Sequence, residues 1–168
     1  MKVILYMAIT ANGMIAKSND DTGWISKKEW DSYSLAVRTA GCLIVGSRTY
    51  QILTKQPEFS EFKDIKLVAV SQENFATLSP NHLVANSPKD ALELLKDFKE
   101  VVVAGGGMLN GSFMAENLID EIYLDVEPIV FGRGIKLFND KEFETKLKLL
   151  GIKKLSESEL QLHYEVLK

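Results

Sequence analysis

One cysteine, two histidines and four prolines among 168 residues leave little material for several kinds of chemistry. Cys42 has no partner for an internal disulfide and lies inside an apolar run, so it reads as a buried thiol rather than a nucleophile. His82 and His163 with that lone thiol do not make a His/Cys zinc set, and no metal is expected. The apolar stretch from Lys2 to Ile9 falls far short of the ~20 residues that span a bilayer. It has no small-residue cleavage pattern behind it, so it reads as a first strand and not as a targeting segment. Lys and Arg number 20 against 23 acids, without the basic excess of a nucleic-acid binder. Neither nucleic acid nor membrane is expected as a partner, and the expected location is the cytoplasm. A G-x-S-x-G elbow, an H-E-x-x-H pair and a glycine loop ending in Lys-Ser or Lys-Thr are all missing, which excludes the commonest hydrolases and P-loop nucleotidases.

What is present suits one globular domain over residues 1–168: hydrophobic residues make up 46% and charged residues 26%. The continuously apolar strand 2–9 suits a centre covered on both faces. Asn12-Gly13 marks a turn, and the polar stretch 17–23 a surface loop. Ser26-Lys27-Lys28-Glu29 has the form of a capping box, opening a helix to about Arg38 with Trp30, Tyr33 and Val37 on one face. Further strands are expected at 42–46, 66–71, 82–85 and 101–104, with helices near 48–53 and 109–117. Another helix starts at Ser87-Pro88 and buries Ala91, Leu94, Leu95 and Phe98. Strand 119–127 alternates, with Ile122, Leu124 and Val126 opposite Tyr123, Asp125 and Glu127. Two alternating stretches, 147–155 and 160–167, make an antiparallel C-terminal pair. The fold expected is α/β: three αβα layers, a mostly parallel central sheet and a C-terminal antiparallel hairpin.

Two glycine-marked junctions carry the functional signal. Gly46-Ser47-Arg48-Thr49 and Ala104-Gly105-Gly106-Gly107 each follow a buried strand and precede a helix. Glycine there lets backbone approach a ligand, and the free N–H groups of a new helix suit phosphate oxygens. Two such sites could grip both ends of one phosphorylated cofactor; equally, each glycine could serve only a tight turn. The triplet is not a dinucleotide fingerprint, because G-x-G-x-x-G breaks at Asn110 and falls late in the chain.

Taken in order, these residues resemble the dihydrofolate reductase superfamily, which includes the reductase domain of riboflavin biosynthesis. The likeness rests on Ala8 and Ile15, Trp24 five residues before Glu29, the run Gly46 to Tyr50, Ser71, the glycine triplet, Asp120 to Ile122 and Pro128 to Phe138. It implies a dihydrofolate-reductase-like fold and hydride transfer from NADPH to a C=N bond of a pterin or pyrimidine. Dihydrofolate is the main substrate expected. A ribosylamino-pyrimidinone 5′-phosphate of riboflavin synthesis is the alternative, and a non-catalytic nucleotide-binding module is the reading from another class. The implied catalytic groups are Glu29, which would hold a proton, and Asp125 beside it; Ala8, Trp24 and Tyr33 would meet substrate. Glu29 could instead only cap its helix, and Asp125 could simply face solvent. The implied cofactor residues are Ala8, Ile15 and Ala16 at the nicotinamide, under a flap of residues 17–23. Gly46, Ser47, Arg48 and Thr49 would meet the adenosine side and pyrophosphate, Ser71 and Gln72 the 2′-phosphate. Ala104, Gly105, Gly106, Gly107, Met108 and Leu109 would line the other half, with Gly105–Gly106 cis. The chain departs from both branches. Ile65 stands where dihydrofolate reductases place an arginine for the folate tail, with Lys63 and Lys66 nearby, and the Asp-Pro pair of the riboflavin branch is missing after the second strand. A monomer or a homodimer is expected.

Overall fold

The computed structural model describes residues 1–139 and 141–168. Strand β1 (Lys2–Thr10) can be apolar on both faces because both are covered: Val3 and Leu5 enter one core, Tyr6 the other. β3 (Cys42–Gly46) behaves the same way, with Cys42 and Ile44 on one side and Leu43 and Val45 on the other. Between them in sequence lie a short β2 (Met14–Ala16) and the helix α1 (Lys27–Ala40). After β3 come α2 (Ser47–Leu53), a 3-10 turn (Pro57–Phe62), β4 (Lys66–Val70) and β5 (His82–Ala85). Then follow α3 (Pro88–Leu94), β6 (Glu100–Val103), α4 (Gly107–Ala115), β7 (Glu121–Glu127) and β8 (Ile135–Lys136). β9 (Lys146–Lys154) and β10 (Leu160–Leu167) finish the chain.

The main sheet has eight strands in the order β5-β4-β3-β6-β1-β7-β10-β9. The first six are parallel; β10 adds antiparallel to β7, and β9 to β10. Helices α3 and α4 cover one face through Ala91, Leu109, Phe113 and Met114. Helices α1 and α2 with the 3-10 turn cover the other through Tyr33, Val37, Tyr50, Leu53 and Phe62. This is the expected αβα arrangement with its antiparallel hairpin. Cys42 is fully buried, and burial pushes its thiol up to about 12, as suits a structural thiol.

Three local expectations differ from the fold. α3 stops at Leu94, well before Phe98, because the chain leaves helical geometry at Leu95 (φ −116°, ψ 14°). Leu95 therefore turns fully inward while Leu94 stays 40% exposed. α4 covers 107–115 and ends before Asn117, which turns into the left-handed region at φ 55°. β2 and β8 pair in a separate two-stranded sheet, too short to leave a periodic signal. Among the described residues no helix is long and apolar enough to cross a membrane.

His82 opens β5 at 4% exposure, packed edge-on by Tyr50 and Phe59. The Tyr50 hydroxyl accepts the Leu78 N–H (2.9 Å) and lies 2.9 Å from His82 Nδ1, so its own proton points to the ring. That leaves the imidazole neutral, with Nε2 unpartnered among the described residues. Burial holds the ring below the ordinary value of 6.5, so the unfolded chain binds the proton more tightly. The stability that comes from keeping His82 neutral is complete above pH 6.5 and lost as pH falls below it. In urea titrations, the difference in unfolding free energy between the parent and His82→Phe should shift against the parent as pH falls below that value.

Candidate active site

Because β4, β3, β6 and β1 are adjacent and parallel, their carboxyl ends lie along one edge, where a cleft of about 1420 Å³ opens. Ala8, Ile15, Ala16, Gly46, Ser47, Arg48, Thr49, Ser71, Gln72 and Ala104 to Leu109 all line it. Glu29 and Tyr33 line it as well. The two glycine junctions touch: the Gly46 N–H donates to the Gly105 carbonyl at 2.7 Å. Gly105 sits at φ 84°, and the Gly105–Gly106 peptide is cis. A Cβ on Gly107 would lie 2.4 Å from the Lys136 carbonyl, so only glycine lets α4 begin this close to the strand β8.

The helix starts divide into two kinds. α1 and α3 are closed by Ser26 and Ser87, whose hydroxyls accept from Glu29 N (3.0 Å) and Asp90 N (3.1 Å). α2 and α4, which start at the two glycine junctions, have no side-chain cap. Their first-turn N–H groups are free to serve an anionic ligand, so this end suits the phosphates of a dinucleotide. Ser71 and Gln72 leave the end of β4 beside them, the Gln72 amide donating to the Asn86 carbonyl at 2.9 Å. Arg48 instead reaches the flap, its Nε donating to Asp20 Oδ2 at 2.7 Å. This exposed ion pair ties the 17–23 loop to α2.

At the other end Glu29 lines the cleft, with Asp125, Glu127 and Glu159 near it outside the lining. The Ser26 hydroxyl makes its half of the capping box, but the reciprocal half comes from another strand: Ser26 N–H donates to Glu127 Oε1 at 2.8 Å. Glu29 is thereby released from capping. Its carboxyl, on a residue only 4% exposed, faces the cleft with no hydrogen-bond donor among the described residues. Burial above all, then the negative charges of Asp125, Glu127 and Glu159, hold it well above the usual carboxylate range. Glu127 and Glu159 are themselves buried beside one another, and burial also raises Glu127.

Asp125 does not face solvent. It is 1% exposed behind the cleft, accepting from the Tyr6 hydroxyl (2.7 Å) and the Gln161 amide (2.9 Å). Burial pushes it up to about 6, against the opposing pull of those two donors. Trp24 lies outside the lining: its ring packs edge-on against Phe131 at 5.3 Å and its Nε1 donates to the Asp21 carbonyl. Trp30, read from the sequence only as a helix-face residue, takes the place in the wall. Tyr6, Glu127, Glu159 and Gln161 were also missed. The one available signal was a polar group in an otherwise apolar or alternating strand, as with Tyr6 inside β1 and Gln161 inside β10.

The family model described as the RibD C-terminal domain matches residues 1–160. An uncharacterised protein of Bacillus subtilis, YwjB, is 32% identical over 97% of both chains. Dihydrofolate reductase type 1 of Escherichia coli is 30% identical over 76% of this chain and 78% of its own. A protein assigned to riboflavin biosynthesis in Shewanella sp. PV-4 superposes with a TM-score of 0.81 at 19% identity, over 100% of both chains. The sheet order, the paired junctions and these likenesses agree: the chain is a reductase that belongs to the RibD C-terminal domain family, within the dihydrofolate-reductase-like superfamily.

Proposed function

We propose that the chain is an NADPH-dependent reductase of an amino-substituted pyrimidine, of the ribosylamino-pyrimidinone 5′-phosphate type found in riboflavin synthesis. Glu29 carries this reading: a buried acid with no donor among the described residues, its ionisation disfavoured by burial, opens into the same cleft as the two glycine junctions. NADPH supplies a hydride when bound. The protein's task is to orient the acceptor, exclude water and deliver a proton to nitrogen as carbon takes the hydride. The uncapped starts of α2 and α4 would hold the phosphates, and Ala8, Ile15 and Ala16 would flank the nicotinamide. The flap tied by Arg48 and Asp20 would cover it. Tyr33 and Trp30 would wall the substrate ring.

Dihydrofolate, the substrate first expected, is the weaker reading. The family match favours the riboflavin branch, and none of the residues expected to meet a glutamate tail lines the cleft. Ile65, standing where an arginine was sought, is packed in the core at 4% exposure. Lys63 and Lys66 lie outside the lining, whereas Glu58 is part of it. The 30% identity with a dihydrofolate reductase keeps folate as the second reading.

NADPH oxidation by the purified protein should proceed with the ribosylamino-pyrimidinone phosphate and be far slower with dihydrofolate; the reverse ranking would overturn the substrate assignment. Glu29→Gln should lower kcat by about 10²-fold while NADPH affinity, followed by calorimetry, stays as in the parent. The same acid should weaken the fold it serves. Glu29→Leu is expected to stabilise the protein by about 0.5–2 kcal/mol in urea denaturation, since a carboxyl whose ionisation burial penalises is replaced by an apolar side chain. Asp125→Leu should destabilise, because it strands the Tyr6 and Gln161 donors.

A further inference from the structure

Two buried acids lie at one end of the cleft, Glu29 in its wall and Asp125 behind it, and only Asp125 sits in surroundings built for an anion. Asp125 takes the Tyr6 hydroxyl on Oδ2 (2.7 Å) and the Gln161 amide on Oδ1 (2.9 Å). With its proton given to Asp125, the Tyr6 oxygen accepts from Ser32 Oγ (2.6 Å) and from Gln161 Nε2 (2.8 Å). Four elements, β1, β7, β10 and α1, thus converge on one carboxylate. Ser32 lies three residues after Glu29 on α1, a spacing that brings the two onto one side of the helix. Tyr6 lines the cleft with Glu29. Glu29 itself has no donor among the described residues.

We propose that Asp125 is a positioning residue: its anion, clamped by Tyr6 and Gln161 behind the cleft floor, keeps the proton on Glu29 until substrate takes it. Of two acids that repel one another as anions, the one whose anion is less supported keeps its proton, and that is Glu29. The surroundings act in the same sense. Asp125 and Glu127 on β7, and Glu159 in the turn before β10, bear on Glu29 with negative charge, and Tyr33 on α1 is a neutral phenol. Asp125 is faced by Glu127 on its own strand, by Tyr6 on β1 and, helpfully, by the Lys153 cation on β9.

The proposal rests on the reductase reading for what the proton does. The hydride adds with its electron pair to the carbon of the C=N bond, and the nitrogen gains the Glu29 proton. The Glu29 O–H bond breaks as the new N–H bond forms. Glu29 is left as a carboxylate beside the Asp125 anion, and their repulsion favours its reprotonation from solvent water for the next cycle. As a raised acid, Glu29 is competent below its own pKa, so turnover should fall as pH rises through that value.

Infrared difference titration of the ligand-free protein tests this directly, with the Glu29 carboxyl band assigned by its loss in Glu29→Gln. In the parent the band should persist through neutral pH. In Asp125→Asn, which keeps the shape and removes the charge, the Glu29 midpoint should fall by about 1–2 pH units. The alkaline limb of the kcat profile should fall with it, with activity recovered at lower pH. Should that variant not fold, Gln161→Leu removes one donor from Asp125 and should weaken the Glu29 band at neutral pH. No protonated Glu29 in the parent at pH 7, or a midpoint unmoved in both variants, overturns the proposal. Because the titration uses no substrate, a wrong substrate would register only in the NADPH assay.

Discussion

The amino end of α1 is the constraint on which the candidate site depends. A helix start needs acceptors for its free N–H groups, and here two different residues divide the work. Ser26 serves the N–H of Glu29, and Glu127, from the far end of β7, serves the N–H of Ser26. Had Glu29 completed the box itself, its carboxylate would lie back along the helix, ionised and occupied. By taking that contact, Glu127 frees Glu29 for the cleft. It also brings a further acid near Glu29 and so discourages Glu29 from ionising. One long-range hydrogen bond therefore frees the direction of the central side chain, and the acid that accepts it adds to the burial and the Asp125 charge that disfavour its ionisation.

Strand order makes that arrangement possible. β1 lies between β6 and β7 in the sheet, and β3 lies on the other side of β6. Placing β3 beside β6 brings the glycine junctions within one hydrogen bond of each other. Placing β7 beside β1 sets Asp125 level with Ala8 and Glu127 level with Thr10. The β10 strand, antiparallel against β7, puts Gln161 opposite Asp125. Residues separated by more than a hundred positions become neighbours because six adjacent strands run the same way and β10 returns against the last of them.

The layers, the strands and the glycine junctions were legible because each has a local signature: apolar runs, serine caps, and glycine between a strand and a helix. Buried contacts across the sheet have none. Asp125 sits at an alternating position where a solvent-facing acid and a buried one look alike, and only Tyr6 and Gln161 distinguish them. The capping box at Ser26 was half right for the same reason. Its spacing is real, yet the competing acceptor lies 101 residues away. Trp24 was drawn to the site by its spacing from Glu29, but it packs on Phe131, bonds the Asp21 carbonyl and is not among the cleft-lining residues.

The cleft is electrically polar along its length, and that polarity narrows what it can hold. One end offers uncapped helix starts, which favour negative charge; the other gathers Glu29, Asp125, Glu127 and Glu159. On the proposed reading, a dinucleotide lies with its phosphates at the first end and its nicotinamide toward the second, and the acids meet a ring rich in N–H donors. A ligand placed the other way would set phosphates against buried carboxylates, in surroundings where water screens little. Orientation therefore does not rest on any one contact. On that reading it follows from where the fold sets the uncapped helix starts and the buried acids, with Glu29 as the one of those acids that lines the cleft.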